Sequence, residues 1–246
     1  MSLPVFFIDQ QSLAAGPLAQ LGADESHHAI KALRMKVGER LIVTDGMGKS
    51  AQAEVIATGA ALDIRLDAVS NEPPPDLQFT VVQALPKSDR GELAVELLTE
   101  VGIDTIVPWQ AARSVAVWRD EKKRARGQLK WESAARAAAK QSRRVWWPKV
   151  ADVIDTSDVA GLIRGSDAAI VLHEAANDRL TGQPLPREGR ITLVVGPEGG
   201  LDDVEVARFR EAGATLCVAG PTVMRTSTAG AVAAAVLMSQ SMRWSR

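Results

Sequence analysis

The sequence predicts an α/β protein: a domain built on a mostly parallel sheet, preceded by a small N-terminal β-barrel. Three observations carry this. Pro73-Pro74-Pro75 breaks the chain where neither helix nor sheet can continue, because proline lacks the backbone donor and fixes φ. Before it, short alternating apolar runs are divided by turn residues. After it, continuous apolar runs alternate with helical stretches, the mark of a parallel sheet covered on both faces. The expected division is residues 1–71 for the barrel, 72–76 for an extended Pro-rich linker and 77–246 for the α/β domain.

Within the first part, Leu41-Ile42-Val43, Ala53-Glu54-Val55-Ile56 and Leu62-Asp63-Ile64-Arg65-Leu66 read as strands, with Asp45-Gly46-Met47-Gly48 as a turn. One helix is expected from Ser26 to Arg34. In the second part, Phe79–Leu85 is a buried strand, followed by a helix from about Asp89 to Val101. That helix carries Leu93, Leu97, Leu98 and Val101 on one face and stops at Gly102. Thr105-Ile106-Val107, Ala168–Leu172, Ile191–Val195 and Thr215–Val218 are further strands, with a helix near Asp203–Glu211.

Hydrophobic residues make up 46% of the chain and charged residues 24%, the balance of a soluble globular protein with a real core. The single cysteine, Cys217, excludes an internal disulfide and a Cys-based zinc site; its apolar surroundings predict a buried thiol. No His/Cys/Asp cluster has metal spacing, so no metal is expected. The N-terminus has no basic flank for a signal peptide. The uncharged stretch Thr226–Met242 is rich in Ala, Ser and Thr, which suits a buried or interface helix and not a membrane span. A cytoplasmic location is the expectation.

Formal net charge is -1, yet Arg119–Lys149 alone carries +8, leaving -9 on the remainder. If Trp131–Trp147 is helical, Arg136, Lys140, Arg143 and Arg144 share one face, flanked by Trp131, Trp146 and Trp147. Such a face can track a phosphate backbone; it is also what a solvated helix looks like.

Ligands of open α/β sheets bind beyond the carboxyl ends of strands. Val195-Gly196-Pro197-Glu198-Gly199-Gly200 follows a strong strand, and Asp202 can cap the next helix. It lacks the spacing and the Lys-Ser/Thr of a phosphate loop, and Glu198 would repel phosphate. A ligand with a nucleoside and a cationic or zwitterionic tail fits better; an ordinary glycine-rich turn reads the same way. Ala219-Gly220-Pro221 repeats the Gly-Pro ending, and Arg225 is stranded there among small and apolar residues, either paired with a carboxylate or aimed at an anion. His173, at a third strand end, admits a base, a ligand contact or a plain strand cap.

Taken in order, these segments resemble the RsmE-type family, the small-subunit ribosomal RNA uridine-N3 methyltransferases of the SPOUT (trefoil-knot) superfamily. The matching residues are His28, Leu33-Arg34-Met35 with Gly38, then Ala84-Leu85-Pro86-Lys87, Thr99–Gly102 and Arg113-Ser114-Val115. Gln141, Arg144, Pro148 and His173-Glu174 follow, then Gly196–Gly200 with Glu205, and Gly220-Pro221 with Arg225-Thr226 and Thr228-Ala229. The resemblance implies a PUA-like, RNA-holding barrel before a trefoil-knot SPOUT domain, and a homodimer packed through the knot. It implies S-adenosylmethionine held by three loops: Leu172 and His173; Val195, Gly196, Glu198, Gly199 and Gly200; and Ala219, Gly220, Val223, Met224 and Thr228. It implies 16S rRNA of the small ribosomal subunit as partner, with Arg34, Lys36, Lys87 and Arg113 joining the basic residues above as RNA contacts.

Arg225 is then the catalytic residue, its guanidinium stabilising charge that develops on uracil as the N3 proton leaves. Glu198, His173 or water is the candidate base. Two positions depart from the family pattern. Ser227 replaces the acid of its usual Arg-Thr-Glu-Thr-Ala, which bears on any role for a carboxylate beside Arg225, and Lys140 stands where Glu often precedes the matched Gln. A ribose 2′-O-methyltransferase of the same superfamily and a non-catalytic rRNA-binding assembly factor are the alternatives.

Overall fold

A computed structural model describes residues 3–88 and 90–244. The chain divides into two compact units, and the division is not contiguous: Ala139–Trp147 group with the residues up to Pro74, while Pro75–Ala138 and the chain from Pro148 form the second unit.

The first unit contains β1 (Val5–Phe7), α1 (Gln10–Ala14), β2 (Leu18–Gln20), α2 (Ala23–His27), β3 (Arg40–Thr44), β4 (Lys49–Thr58), β5 (Leu62–Leu66) and β6 (Ser70–Asn71). The strands pair in the order β1-β3-β4-β5-β2, with β6 on β4; β1 and β3 run parallel and the others antiparallel. Alternation sets the burial. Leu62, Ile64 and Leu66 point inward while Arg65 is exposed, and with Phe6, Leu41, Val43 and Val55 they form the core. The helix expected over Ser26–Arg34 starts earlier: α2 passes into a wider turn, His28–Ala32, and Arg34 follows at φ 54°.

Ala139–Trp147 belong here because their bonds are local to this unit. Trp146 bridges to Met47 and donates from Nε1 to Glu72 O (3.0 Å), and the backbone N–H of Trp147 reaches Gly46 O (2.9 Å). Both indoles lie against glycines. A Cβ at Gly46 would come within 2.8 Å of Trp147, and one at Gly48 within 2.7 Å of Trp146.

The second unit contains β7 (Leu77–Ala84), α3 (Arg90–Val101), β8 (Thr105–Trp109), most of α4 (Glu121–Gln141), β9 (Lys149–Val150), α5 (Thr156–Arg164), β10 (Ala168–Leu172), β11 (Asp178–Arg179), β12 (Gly189–Val195), α6 (Asp203–Glu211), β13 (Thr215–Val218) and α7 (Thr226–Gln240). Its strands form one sheet in the order β11-β13-β10-β12-β7-β8-β9, every pair parallel. Neighbouring residues face opposite sides. Phe79, Val81, Leu193 and Val195 pack in the cluster that includes Leu98 of α3, Trp131 of α4 and Leu237 of α7, while Val82, Val107, Val171 and Val194 pack with Val159 and Ile163 of α5 and Phe209 of α6.

Two further helices differ from expectation. Asp89, where α3 was expected to begin, lies outside the described residues. The buried stripe of α3 is Gly91, Ala94, Val95, Leu98 and Thr99, while Leu93 is exposed, because Trp131 packs on the helix at Gly91 and rotates its inward face. α4 ends at Gln141 and not at Trp147, with Arg143 in the left-handed region at φ 59°. α7 buries Gly230, Ala231, Ala233 and Ala234, small residues that let it lie close on α3 and the sheet. Among the described residues no helix is long and apolar enough to cross a membrane.

Candidate active site

Parallel pairing puts the carboxyl ends of β13, β10, β12, β7 and β8 on one edge of the sheet. The register aligns Leu172 with Cys217, Val195 with Gln83, and Ala84 with Trp109, so the loops that follow emerge side by side. After β7 the chain turns to one side, through β8 and β9; β10 and β13 lie on the other, and β12 fills the place between. The loop after β12 therefore leaves the sheet at its switch point, where crevices form in such folds. The three predicted cofactor segments, Leu172–His173, Val195–Gly200 and Ala219–Arg225, are all brought to this edge.

The loop after β12 is held from several directions. Gly200 turns at φ 70°, and its N–H reaches Pro197 O (2.9 Å). Gly196 faces Leu201, whose Cδ2 a Cβ would meet at 3.0 Å. Glu198 is exposed, and its Oε1 accepts the backbone N–H of Lys87 (3.1 Å). Asp202 caps α6, with Glu205 reaching back to the Asp202 N–H (3.1 Å). Glu205 is buried, and its other oxygen accepts the N–H of Ala112 (2.8 Å) and the hydroxyl of Thr156 (3.2 Å). Arg113 Nη1 donates to both Gly199 O and Leu201 O, each at 3.2 Å.

His173 donates its backbone N–H to Cys217 O (3.0 Å), and its Nδ1 accepts the N–H of Ala175 (3.2 Å). With Nδ1 engaged as acceptor, the neutral ring carries its proton on Nε2 and offers a donor. Cys217 is buried, and desolvation, with the charge of Asp178 adding to it, pushes its thiol up to about 11.

Arg225 occupies the N-cap of α7 with extended backbone, exposed, and its side chain makes no capping bond. Its carbonyl accepts the N–H groups of Thr228 and Ala229 (both 2.9 Å) and the hydroxyl of Thr228 (3.1 Å), so Thr228 shapes the first turn. Gly220 and Met224 are partly buried and Val223 is exposed. Ser227 is buried. Gln83, which sequence reasoning missed, is fully buried on β7 and donates from Nε2 to Ala84 O (3.1 Å) and Thr226 O (3.4 Å), tying the start of α7 to the sheet. An amide side chain inside a largely apolar strand was the available signal.

The basic segment is divided by the end of α4. Arg136 is exposed in the second unit, whereas Lys140, Arg143 and Arg144 belong to the first, and the last two lie beyond the helix. The single four-residue stripe therefore does not form. Lys140 is ion-paired with Glu25 (2.7 Å) and lies 5.6 Å from the Phe6 ring centre, so its charge is met inside the fold. Arg144 is partly buried and its carbonyl accepts Trp147 Nε1 (3.0 Å). Arg34, Lys36 and Arg143 are exposed in the first unit, and Lys87 and Arg113 in the second. Nor do the tryptophans flank a stripe: Trp131 is buried edge-on to Trp118 (5.5 Å), and Trp146 and Trp147 cover Gly48 and Gly46. Among the described residues no group of three or more His, Cys, Asp or Glu is placed to hold a metal ion.

Comparison with known proteins agrees with this architecture. Residues 72–238 match the family model described as an RNA methyltransferase domain, and residues 21–64 that of an RNA methyltransferase PUA domain. Ribosomal RNA small subunit methyltransferase E of Mycobacterium bovis is 41% identical over 245 residues, covering 98% of this chain and 93% of that protein. The Bacillus subtilis protein of the same name is 30% identical, covering 91% of each chain. The crystal structure of the Neisseria gonorrhoeae protein of that name, bound to S-adenosyl methionine, superposes with a TM-score of 0.85 over 97% of this chain and 98% of that one; at 22% identity it shows the shared fold. With an RNA methyltransferase PUA domain followed by an RNA methyltransferase domain, the chain belongs to the ribosomal RNA small subunit methyltransferase E family.

Proposed function

We propose that this chain transfers a methyl group from S-adenosylmethionine to N3 of a uridine in 16S rRNA of the small ribosomal subunit. The observation that carries the reading is the near-full-length match to relatives of that name, joined to three strand-end loops gathered on one sheet edge around an exposed arginine. The residues fit the cofactor. The glycine-rich turn lets a ligand approach backbone, the neighbouring carboxylate disfavours phosphate, and His173 offers a donor. Leu172–His173, Val195–Gly200 and Ala219–Met224 with Thr228 would hold it. When bound, S-adenosylmethionine supplies an already activated methyl group.

The chain's own task is orientation and charge. N3 of uracil loses a proton during transfer, and the negative charge spreads to the flanking carbonyl oxygens. Arg225, permanently charged and free of a capping bond, stabilises that charge. The proton passes to Glu198, through the oxygen not engaged by Lys87, to His173 or to water. Because pairing hides N3, the target uridine is unpaired or flipped out. The PUA domain, with Arg34, Lys36 and Arg143 exposed, holds RNA, and Lys87 and Arg136 add contacts from the second unit. The protein acts in the cytoplasm as a homodimer. The support for dimerisation is apolar surface near the C-terminus, with Val232, Met242 and Trp244 exposed.

The test is methylation in vitro of rRNA and of small-subunit particles, read by nucleoside mass spectrometry. The reading predicts 3-methyluridine. A ribose-methylated product would move the chain to the 2′-O class, and cofactor binding with no product on either substrate would favour an assembly factor.

A further inference from the structure

We propose that Arg113 is a positioning residue for the cofactor loop, and not an RNA contact. The inference rests on the functional reading above. The segment after β8 is braced from within: Gln110 donates from Nε2 to Ala116 O (3.1 Å) and accepts from the backbone N–H of Trp118 (3.1 Å). Arg113 projects from this braced segment across to the loop after β12. There its guanidinium nitrogen Nη1 meets two carbonyls, Gly199 O and Leu201 O, both at 3.2 Å.

Those carbonyls belong to the two peptide planes that shape the turn. The partner N–H of the first, Gly200 N, reaches Pro197 O (2.9 Å); that of the second, Asp202 N, reaches Glu205 (3.1 Å). Each plane is thus held on its N–H side, the first by the loop and the second by Glu205 of α6, and on its carbonyl side by Arg113. Glu205 also takes the N–H of Ala112, the residue before Arg113, so one carboxylate joins the two loops next to the guanidinium. The stem of Arg113 lies directly on Gly199, where an added Cβ would come within 3.1 Å of Arg113 Cβ and 3.4 Å of its carbonyl. Glycine at 199 therefore has a steric reason: it lets the arginine lie flat on the turn. A charged group with two backbone acceptors and a fitted stem has its geometry committed to the loop.

Calorimetric titration with S-adenosylmethionine and steady-state methylation of small-subunit RNA test this in the full chain. R113M is expected to raise the dissociation constant and the KM for S-adenosylmethionine by about tenfold, the scale of losing a charge-assisted pair of hydrogen bonds. The KM for RNA and the slope of RNA affinity against salt should stay as in wild type. R113K, keeping one donor, should recover part of the loss. G199A, which disturbs the same contact from the other side, should reproduce the cofactor defect, and R113M with G199A should cost less than the sum. If R113M does not fold, R113K and G199A against wild type carry the same comparison. The proposal is overturned if R113M binds the cofactor normally while RNA affinity falls and its salt slope drops by about one. A wild-type chain that binds no S-adenosylmethionine would instead defeat the functional reading itself.

Discussion

Arg225 is exposed at the start of α7, a helix built mostly of small and apolar residues. Removing a charge-stabilising donor typically costs about 10²–10³-fold in turnover. R225A is therefore expected to reduce kcat on that scale while cofactor affinity, measured by calorimetry, changes by less than several-fold; equal loss of both would make Arg225 a cofactor or folding residue. Cys217 gives the opposite expectation. Buried, with its thiol pushed up to about 11, it stays protonated at neutral pH, and a thiol reagent at pH 8 should label it only after unfolding. Rapid labelling of the native chain would contradict its placement. Arg225 and Cys217 were both legible in sequence, one as a charge stranded among small residues and the other as a thiol in an apolar run. The clamp by Arg113 was not, because its acceptors are backbone carbonyls far along the chain, and no pattern of residue types encodes them.

Although α5, amphipathic and capped by Asp155, was missed, several elements were readable from a local period. Alternation in Leu62–Leu66 and the continuous apolar strands of the second unit are such cases, since period 2 and two-sided burial leave direct traces. The end of α4 left none. Nothing between Gln141 and Trp147 is a glycine or proline, and Arg143 turns in the left-handed region because Trp146 and Trp147 must reach Gly48 and Gly46. A tertiary demand overrides local preference there. Gly48 is the test at this scale: with φ at 100° and a Cβ destined to lie 2.6 Å from Glu72 O, G48A is expected to destabilise the fold by about 1–3 kcal/mol. The thermal midpoint should fall by several degrees; an unchanged midpoint would mean that the indole does not pack on the turn.

For the whole molecule, the concentrated charge of Arg119–Lys149 inside a near-neutral chain suggested one RNA-facing helix. The structure divides that charge between two units and neutralises part of it. Lys140 is already paired with Glu25, so K140M should leave the salt dependence of RNA binding unchanged, whereas K36M, which removes an exposed cation, should lower the log–log slope by about one. A reduced slope for K140M would show that its ion pair opens to meet RNA. The order of the two domains was readable from the triple proline and the change of pattern around it; the return of Ala139–Trp147 to the first unit was not, since only long-range bonds define it.

The central claim is the reaction itself, and one measurement reaches it most directly: nucleoside mass spectrometry of 16S rRNA from cells lacking this protein. The account predicts that 3-methyluridine disappears, returns with the wild-type chain and does not return with R225A. Full 3-methyluridine in the deletion strain, or loss of a ribose-methylated nucleoside in its place, would contradict it.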